Sequence, residues 1–269
     1  MLLYVLMVIA AIGMYWANRQ YKIKGVPWGR PLAGLFGVSA LLLAMVKIFA
    51  QLSGCEQSGR QEKVLDKELS YANATYQYLG TYLKRNHPNQ RILLIANPTS
   101  PNNKFNEKRL DIIKSGLETG FGGQMSSVQI ERLEMPETAM AGAPMMFENL
   151  FTAEIFDEIV EKHKGRVDMI ISLVGLPMDL RDMRFWNLDK DERPKLVVTH
   201  GAIYELKNAI AQGFVTAAVY YNPDLPYNFK DPVPEDVEEA FKKRYVLIDG
   251  DNIEEFAAKH PTIFIPDDE

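Results

Sequence analysis

The chain has 269 residues and a single cysteine, and its formal net charge of −5 at pH 7 is distributed unevenly. Residues 1–55 contain five basic side chains and no acidic one, which leaves 25 basic and 35 acidic residues, a formal charge of −10, for residues 56–269. An acidic domain repels nucleic-acid phosphates, so the composition excludes a nucleic-acid partner. One cysteine also excludes an internal disulfide and a multi-cysteine zinc site.

Residues 1–55 are predicted to form a membrane anchor of two apolar helices. The first, "MLLYVLMVIAAIGMYW", is uncharged, and the second, "PLAGLFGVSALLLAMVKIFAQL", is long enough to span a bilayer. The loop at residues 17–30 carries four basic residues and Trp28, so the positive-inside rule predicts that it is cytoplasmic. The chain beyond residue 55 is then expected on the periplasmic face of a bacterial inner membrane.

The sequence "LSGC", which ends at Cys55, resembles the lipobox of bacterial lipoproteins, in which the cysteine is lipidated after cleavage of the signal. The segment before it has two apolar runs and is longer than the roughly 15 to 30 residues of usual signals. Two alternatives stay open: Cys55 is a lipidation site, or it is a small residue at the end of an uncleaved helical hairpin. Both tether the domain to the membrane.

Residues 56–88 are predicted to form a helical stalk. Apolar or aromatic residues recur in a heptad-like stripe at Leu65, Leu69, Ala72, Tyr76, Leu79 and Leu83. This stripe fits either a helix that packs on its own domain or a contact that makes a homo-oligomer through the stalk.

Residues 89–269 alternate between predicted strands and helices. The strands are "RILLIAN", "SSVQIERLEM", "VDMIISLVG", "PKLVVTH", "VTAAVYY", "RYVLID" and a last strand, "TIFIP". Helical patterns separate most of them, and such alternation implies crossover connections and a mainly parallel sheet that is covered on both faces. The predicted fold class is α/β, a three-layer sandwich.

Polar residues follow the predicted strands, at the edge where open parallel sheets bind ligands. These candidates for a ligand site are Asn97, Ser100, Asn103, Asp179, Thr199, His200, Asn222 and Asp224. Such residues orient polar small molecules, but they are equally typical of turns and helix caps that bind nothing. The sequence leaves both interpretations open.

The order of these segments resembles the type I periplasmic-binding-protein family, which includes sugar-binding proteins and repressor sensor domains. The similar segments are "LIANPTSPNNKFNEKRLDIIKSGLETG", "VDMIISLVGLP", "LKNAIAQGFVTAAVYYNPD" and "RYVLIDGDNIEEF". The resemblance implies a solute-binding role and adds Phe105 to the residues on the ligand side. Members of that family have two lobes, whereas the residues after the stalk suffice for one lobe of ordinary size.

No G-x-S-x-G elbow and no phosphate-binding loop occur in the sequence. We therefore expect no catalytic residue, no cofactor and no metal, and a tethered, non-enzymatic domain that binds a small polar solute or an envelope protein. The alternative is an assembly component of a secretion or transport complex, with "DLRDMRFWNLDKDERPK" and the Met-rich "AMAGAPMMFENL" as contact surfaces. A third hypothesis is a membrane-anchored hydrolase that uses His200 with Asp179 or Asp224.

Overall fold

The chain divides into two compact units, Met1–Asp66 and Lys67–Glu269. The structure is a computed structural model that describes residues 2–24, 26–52, 55–98, 104–123, 127–134, 151–201, 203–226, 228 and 231–264. The predicted contact segment "AMAGAPMMFENL" lies outside the described residues. Helix α3 (Cys55–Asn86) contains the boundary between the units.

The first unit is a hairpin of two helices, α1 (Leu2–Lys24) and α2 (Gly29–Leu52). Small residues allow the two backbones to approach closely. Ala17 is fully buried, and a Cβ atom on Gly29 would lie 2.8 Å from the carbonyl oxygen of Ala17. Gly13 lies against the ring of Phe36 in the same way. Small residues at a helix pair are typical of helices that associate in lipid.

Within the described residues, one helical segment, Gly29–Lys47, is long and apolar enough to cross a membrane by the criteria of length and composition. Almost none of it is buried, and large apolar side chains such as Leu35, Val38 and Leu42 are exposed. A signal sequence near an N-terminus has the same properties.

The second unit is an α/β sandwich, which confirms the predicted fold class. Its strands are β1 (Arg91–Ala96), β2 (Ser127–Arg132), β3 (Met169–Ser172), β4 (Lys195–Val198), β5 (Ala217–Tyr221) and β6 (Tyr245–Asp249). Its further helices are α4 (Lys104–Gly120), α5 (Ala153–Lys162), α6 (Lys207–Ala211), α7 (Val237–Arg244) and α8 (Ile253–Lys259). Short 3₁₀ helices span Leu180–Asp182, Arg184–Asn187, Tyr204–Leu206 and Pro261–Phe264.

The six strands form one sheet in the order β2-β1-β3-β4-β5-β6, and the first five are parallel. Successive residues of the inner strands are buried on alternate faces, so Leu93 and Ile95 of β1 contact one core cluster while Ile92 and Leu94 contact the other. Helices α5, α6 and α8 cover the first face, and α3, α4 and α7 cover the second. A sheet covered on both faces explains the continuous apolar runs in the sequence.

Strand β6 runs antiparallel to β5, with Tyr221 opposite Tyr245 and Ala217 opposite Asp249. Helix α7 ends at Arg244 and β6 begins at the next residue, so no loop returns the chain to the opposite edge. The strand therefore starts beside the carboxyl end of β5 and runs back.

The predicted stalk is part of the α/β unit from Lys67 onward. Its stripe is buried, since Leu69, Tyr76, Leu79 and Leu83 are at most 5% exposed. Tyr76, Leu79 and Leu83 pack into the same core cluster as β1 and β3. Tyr76, Leu79 and Leu83 are thus occupied by the chain's own sheet, and these three residues offer no free face for the predicted homo-oligomer contact.

Helices α3 and α4 approach each other through glycines. A Cβ atom on Gly80 would lie 2.7 Å from the carbonyl oxygen of Leu117, and one on Gly116 would lie 2.9 Å from that of Asn73. No side chain fits between backbones at these distances. Gly80 and Gly116 therefore fix the separation of the two helices.

Two further predictions are corrected by the structure. Under the assembly hypothesis, the segment "DLRDMRFWNLDKDERPK" was a contact surface for a partner, but its Met183 and Phe185 are about 1% exposed and pack in the core. The buried carboxylate of Asp157 holds this turn by accepting hydrogen bonds from the backbone N–H groups of Arg184 and Phe185, at 2.8 and 3.1 Å. The predicted last strand at 262–266 is wrong for its described residues, which belong to the 3₁₀ helix Pro261–Phe264.

The glycine contact generates a prediction for stability. Gly80→Ala should lower the free energy of unfolding by about 1–3 kcal/mol, because a methyl group at 2.7 Å from a backbone oxygen must push α3 away from α4. The intrinsic helix preference of alanine offsets only about 0.5–1 kcal/mol of this loss. Urea unfolding followed by circular dichroism measures the change. Asp111→Ala, at an exposed position of α4, is the control, and a Gly80→Ala protein as stable as the parent would contradict the close contact.

Candidate functional site

The topology of the sheet creates a crevice at the carboxyl ends of β1 and β3. The chain passes from β1 to β2 on one side and then crosses back to β3 on the other side. In open α/β sheets, the loops diverge at such a switch point and leave room for a ligand. Residues that follow β1, β3 and β4 and the first turns of α4 surround this crevice.

Arg109, on α4, lies between two small cavities at this edge. One, of about 30 Å³, is lined by Asn97, Asn106 and Arg132 as well as by Arg109. The other, of about 20 Å³, is lined by Tyr76, Thr199 and His200 as well as by Arg109. Each has room for one or two water molecules. In the described residues, the site is therefore an open edge with small recesses and not an enclosed pocket.

A chain of hydrogen bonds connects Arg109 to the core. Its Nη2 lies 3.1 Å from His200 Nε2, His200 Nδ1 lies 3.2 Å from Thr199 Oγ1, and the hydroxyl of Tyr76 lies 2.9 Å from the same Oγ1. Because a guanidinium can only donate, Nε2 accepts, and Nδ1 carries the proton that is donated to Thr199. Thr199 Oγ1 in turn donates to the carbonyl oxygen of Ser172 at 3.1 Å.

The electrostatics of this chain favour a neutral histidine. Burial, reinforced by the positive charges of Arg109 and Arg244, lowers the pKa of His200 from 6.5 to about 4. Burial also raises the pKa of the Tyr76 hydroxyl above its usual value of 10.0. At neutral pH both groups are uncharged, and Arg109 supplies the positive charge of the chain.

Arg132 at the end of β2 forms a paired ion bridge with Glu107 of α4. Its two terminal nitrogens donate to the two carboxylate oxygens at 2.8 and 2.6 Å. This bidentate geometry is among the stronger ion-pair arrangements, and it holds α4 against the edge of the sheet. The recess beside it is lined by the guanidinium groups of Arg109 and Arg132 and by two amides, Asn97 and Asn106.

Two glycines let the loops after β3 and β4 touch. Gly175 has φ +82°, and a Cβ atom there would lie 2.9 Å from the carbonyl oxygen of His200. Gly201 has φ +99°, and its own Cβ would lie 3.2 Å from the Cα of Gly175. This contact sets the position of the His200 backbone, and with it the position of the ring.

The structure brings together three of the predicted ligand residues. Asn97 is exposed at the end of β1, Thr199 is buried, and His200 links Thr199 to Arg109. Phe105 is half-buried on α4 and lines neither recess. Ser100 and Asn103 lie outside the described residues.

Three other predicted residues have structural partners away from this chain. Asp179 accepts a hydrogen bond at 2.8 Å from the backbone N–H of Ala153, at the start of α5. Asn222 donates to the carbonyl oxygen of Lys242 at 2.7 Å, and Asp224 lies 2.5 Å from the ammonium group of Lys259. Within the described part of the chain, no carboxylate bonds to His200, so the acid-histidine pairs of the hydrolase hypothesis do not form here.

The residues that sequence analysis missed are Arg109, Asn106, Arg132 and Tyr76. Tyr76 was assigned to the apolar stripe, and its buried hydroxyl shows that it also ends a polar chain. Arg109 and Asn106 lie in the first turns of a helix that follows a strand, and such turns always face the carboxyl edge. Their position in the helix that follows β1 was the signal in the sequence that indicated them.

The described residues show no group of three or more His, Cys, Asp or Glu side chains that could hold a metal ion. Cys55 is the first residue of α3, and its side chain lies outside the described residues. Its role as a lipidation site stays a prediction.

The buried histidine predicts a pH dependence of stability. Between pH 6.5 and 4 the unfolded state binds a proton that the folded His200 does not, so the free energy of unfolding should fall as the pH decreases through this window. Above pH 6.5 the imidazole is neutral in both states, so His200 contributes no pH dependence to the free energy of unfolding. In His200→Gln, an amide replaces the donor and acceptor of the imidazole but cannot titrate. The melting temperature of this variant should therefore depend less steeply on pH than that of the parent. Equal slopes for the two proteins in thermal unfolding between pH 4 and 7 would contradict a buried neutral imidazole.

No protein-family profile and no curated protein matches the chain. Solved structures of bacterial binding proteins show a low similarity. A Caulobacter myo-inositol binding protein, bound to myo-inositol, is 16% identical with a TM-score of 0.41 over 68% of this chain and 60% of its own. A solute binding protein of an ABC transporter from Bradyrhizobium, with bound Bis-Tris, is 12% identical with a TM-score of 0.42 over 74% of this chain and 56% of its own.

A periplasmic ribose ABC transporter protein from Conexibacter woesei gives a similar result. It is 13% identical, with a TM-score of 0.42 over 69% of this chain and 60% of its own. The chain thus spans less than two thirds of the length of each of these proteins. Both identity and superposition are low, and the function proposed below depends on the residues of this chain.

Proposed function

We propose that the unit Lys67–Glu269 is a non-catalytic binding domain that recognises a small polar solute at its carboxyl edge. The observation that carries this proposal is the position of Arg109, between the amides of Asn97 and Asn106 and the neutral ring of His200. A few convergent polar groups beside a switch point are typical of sites that orient small molecules.

A binding role fits the groups better than a catalytic one. The two nitrogens of His200 are both engaged, by Arg109 and by Thr199, and the low pKa of the ring keeps it from carrying a proton at neutral pH. A general base needs a pKa near the working pH and access to the substrate proton. His200 serves instead to hold Arg109 and the loop after β4 in place.

The chemistry of the edge favours a hydroxylated solute. Arg109 and Arg132 donate hydrogen bonds, and Asn97 and Asn106 both donate and accept. Because the recesses hold only water-sized volumes, a solute would be contacted from one side and would keep much of its surface in water. We expect dissociation constants in the range of about 0.1–10 mM, weaker than in an enclosed pocket.

A second candidate function is recognition of an envelope protein at the same edge. Large apolar side chains are exposed after β3 and β4 and at or after the end of β5, namely Met178 at 69%, Tyr204 at 38%, Tyr221 at 56% and Leu225 at 47%. Met and Tyr are enriched at protein interfaces, and a partner could cover an edge that a solute leaves open. Recognition of an envelope protein is also the role expected of an assembly component in a secretion or transport complex.

The proposal includes a membrane tether formed by the first unit. Its helices expose apolar side chains around much of their surface, and small residues line their contact, as expected of helices in lipid. The four basic residues of the loop at 17–30 favour a cytoplasmic loop, which puts the α/β unit on the periplasmic side of a bacterial inner membrane.

Solute binding is tested with the full chain in detergent micelles. Thermal-shift screening and calorimetry with pentoses, hexoses and inositols should yield at least one solute that binds at millimolar concentration. Arg109→Gln should weaken that binding about tenfold or more, because it removes a charged donor. The matched control, Arg85→Gln at an exposed position near the end of α3, should bind like the parent.

If the folded protein binds none of the pentoses, hexoses and inositols tested, the solute proposal is contradicted. If an envelope protein then co-purifies with the parent and is lost from Met178→Ser or Leu225→Ser variants, the second function holds. Loss of solute binding in Arg85→Gln as well as Arg109→Gln would contradict the placement of the site.

The tether is tested by the accessibility of single cysteines in a Cys55→Ser background. Glu255→Cys in α8 should react with a membrane-impermeant maleimide in cells whose inner membrane is intact, and Gln20→Cys should react only after permeabilisation. The reverse pattern, or recovery of the protein without membranes, would contradict the proposed topology. In the protein that retains Cys55, intact mass distinguishes the two anchors, since a chain that begins at Cys55 with added lipid mass has lost the hairpin.

A further inference from the structure

A larger cleft than the two recesses lies at the opposite edge of the sheet. It has a volume of about 470 Å³, against about 30 and 20 Å³ for the two recesses at the carboxyl edge. Residues that precede β1, β4 and β5 line it, together with the end of α6 and Gly250 after β6. The volume is within the range of about 300–1,000 Å³ that is usual for small-molecule sites.

The lining of this cleft is cationic. It contains Lys190, Arg193 and Lys195 and no Asp or Glu. In the part of the chain that the structure describes, no carboxylate forms an ion pair with any of these three side chains. The guanidinium of Arg193 stacks instead on the ring of Phe214, 4.0 Å from its centroid.

The carboxylates near the cleft have partners of their own. Asp168 is bound by Arg91 at 2.6 Å, and its pKa is lowered first by Arg91 and to a lesser extent by Lys195. Glu192 is bound by Lys164 at 2.8 Å. Asp189 and Asp191 belong to the same loop as Lys190, but they are exposed and do not line the cleft. The positive charges thus converge on the cleft, while the negative ones are paired or point to solvent.

The rest of the lining is neutral. His87 is kept uncharged at pH 7, because burial and the nearby Lys195 lower its pKa below 6.5. Gln212 and Thr216 add uncharged donors, and Phe214 forms an apolar part of the wall. Three cations beside neutral donors and a short apolar wall match a compact ligand with several negative charges.

We propose that this amino-edge cleft, formed around Lys190, Arg193 and Lys195, binds a small molecule that carries two or more carboxylate or phosphate charges. This site is separate from the solute site proposed at the carboxyl edge, and it does not depend on that function. Its cations supply charge-assisted hydrogen bonds, and the ring of Phe214 contacts the carbon part of the ligand.

The probes for this proposal are inorganic pyrophosphate and citrate, with acetate at equal ionic strength as the monovalent control. Calorimetry on the full chain in detergent micelles should show binding of at least one polyanion and none of acetate. Raising the salt concentration from about 50 to 300 mM should weaken binding several-fold, because exposed charges are screened. Lys190→Gln and Lys195→Gln should each weaken it about tenfold.

The matched control is Lys114→Gln, which removes the same charge from an exposed position on α4. It should leave polyanion binding within about twofold of the parent. Absence of binding by both polyanions in the folded protein overturns the proposal, and so does binding that survives the double variant Lys190→Gln/Lys195→Gln. Binding of an acidic peptide but of neither small polyanion would also overturn it, because the cleft would then serve a protein partner. The sugar titrations with Arg109→Gln are independent of each of these outcomes.

Discussion

The packing of α3 on the sheet is the constraint on which the rest of the α/β unit depends. Leu79 and Leu83 pack on one face of the sheet. Tyr76, one turn earlier, forms a hydrogen bond through its hydroxyl with Thr199 in the core. The glycine contact at Gly80 then sets how closely α4 can lie, and α4 carries Arg109. One helix therefore closes a layer of the sandwich and also determines the geometry of the carboxyl edge.

The two edges of the sheet differ in chemistry. At the carboxyl edge, cations and amides are organised by bonds to protein groups, such as the bridge from Arg132 to Glu107 and the contact of Arg109 with His200. At the amino edge, Lys190 and Lys195 face a larger volume without protein carboxylates. Organised, mixed groups suit a neutral polar solute, whereas unpaired cations suit an anion.

The sequence was sufficient to predict the fold class and six of the strands along the chain, because buried strands such as Arg91–Ala96 leave continuous apolar runs. It did not reveal the direction of β6, which depends on the lack of a loop after α7. It also left open whether the stripe that includes Tyr76, Leu79 and Leu83 packs on the chain's own domain or makes an oligomer contact. A heptad-like stripe looks the same on a stalk and on a packed helix, and only tertiary contacts distinguish them.

The candidate site was predictable only in part for a similar reason. His200 and Thr199 follow a strand and were found by that rule, but Asp179, Asn222 and Asp224 follow strands too and are occupied by backbone or lysine partners. Arg109 lies on a helix, where an arginine ordinarily indicates a solvated face. Its position in the first turns after β1 indicates the carboxyl edge, but its contact with His200 depends on tertiary packing that the sequence pattern does not show.

The central claim is that the carboxyl edge is where a polar solute binds, and hydrogen-deuterium exchange tests it most directly. Exchange of the full chain is measured with and without a saturating polyol or sugar. Protection should appear in the peptides that cover residues 104–113 and 198–206, and the rest of the sheet should be unchanged. Unchanged exchange at this edge in the presence of a solute that binds, or protection confined to other segments, would contradict the account.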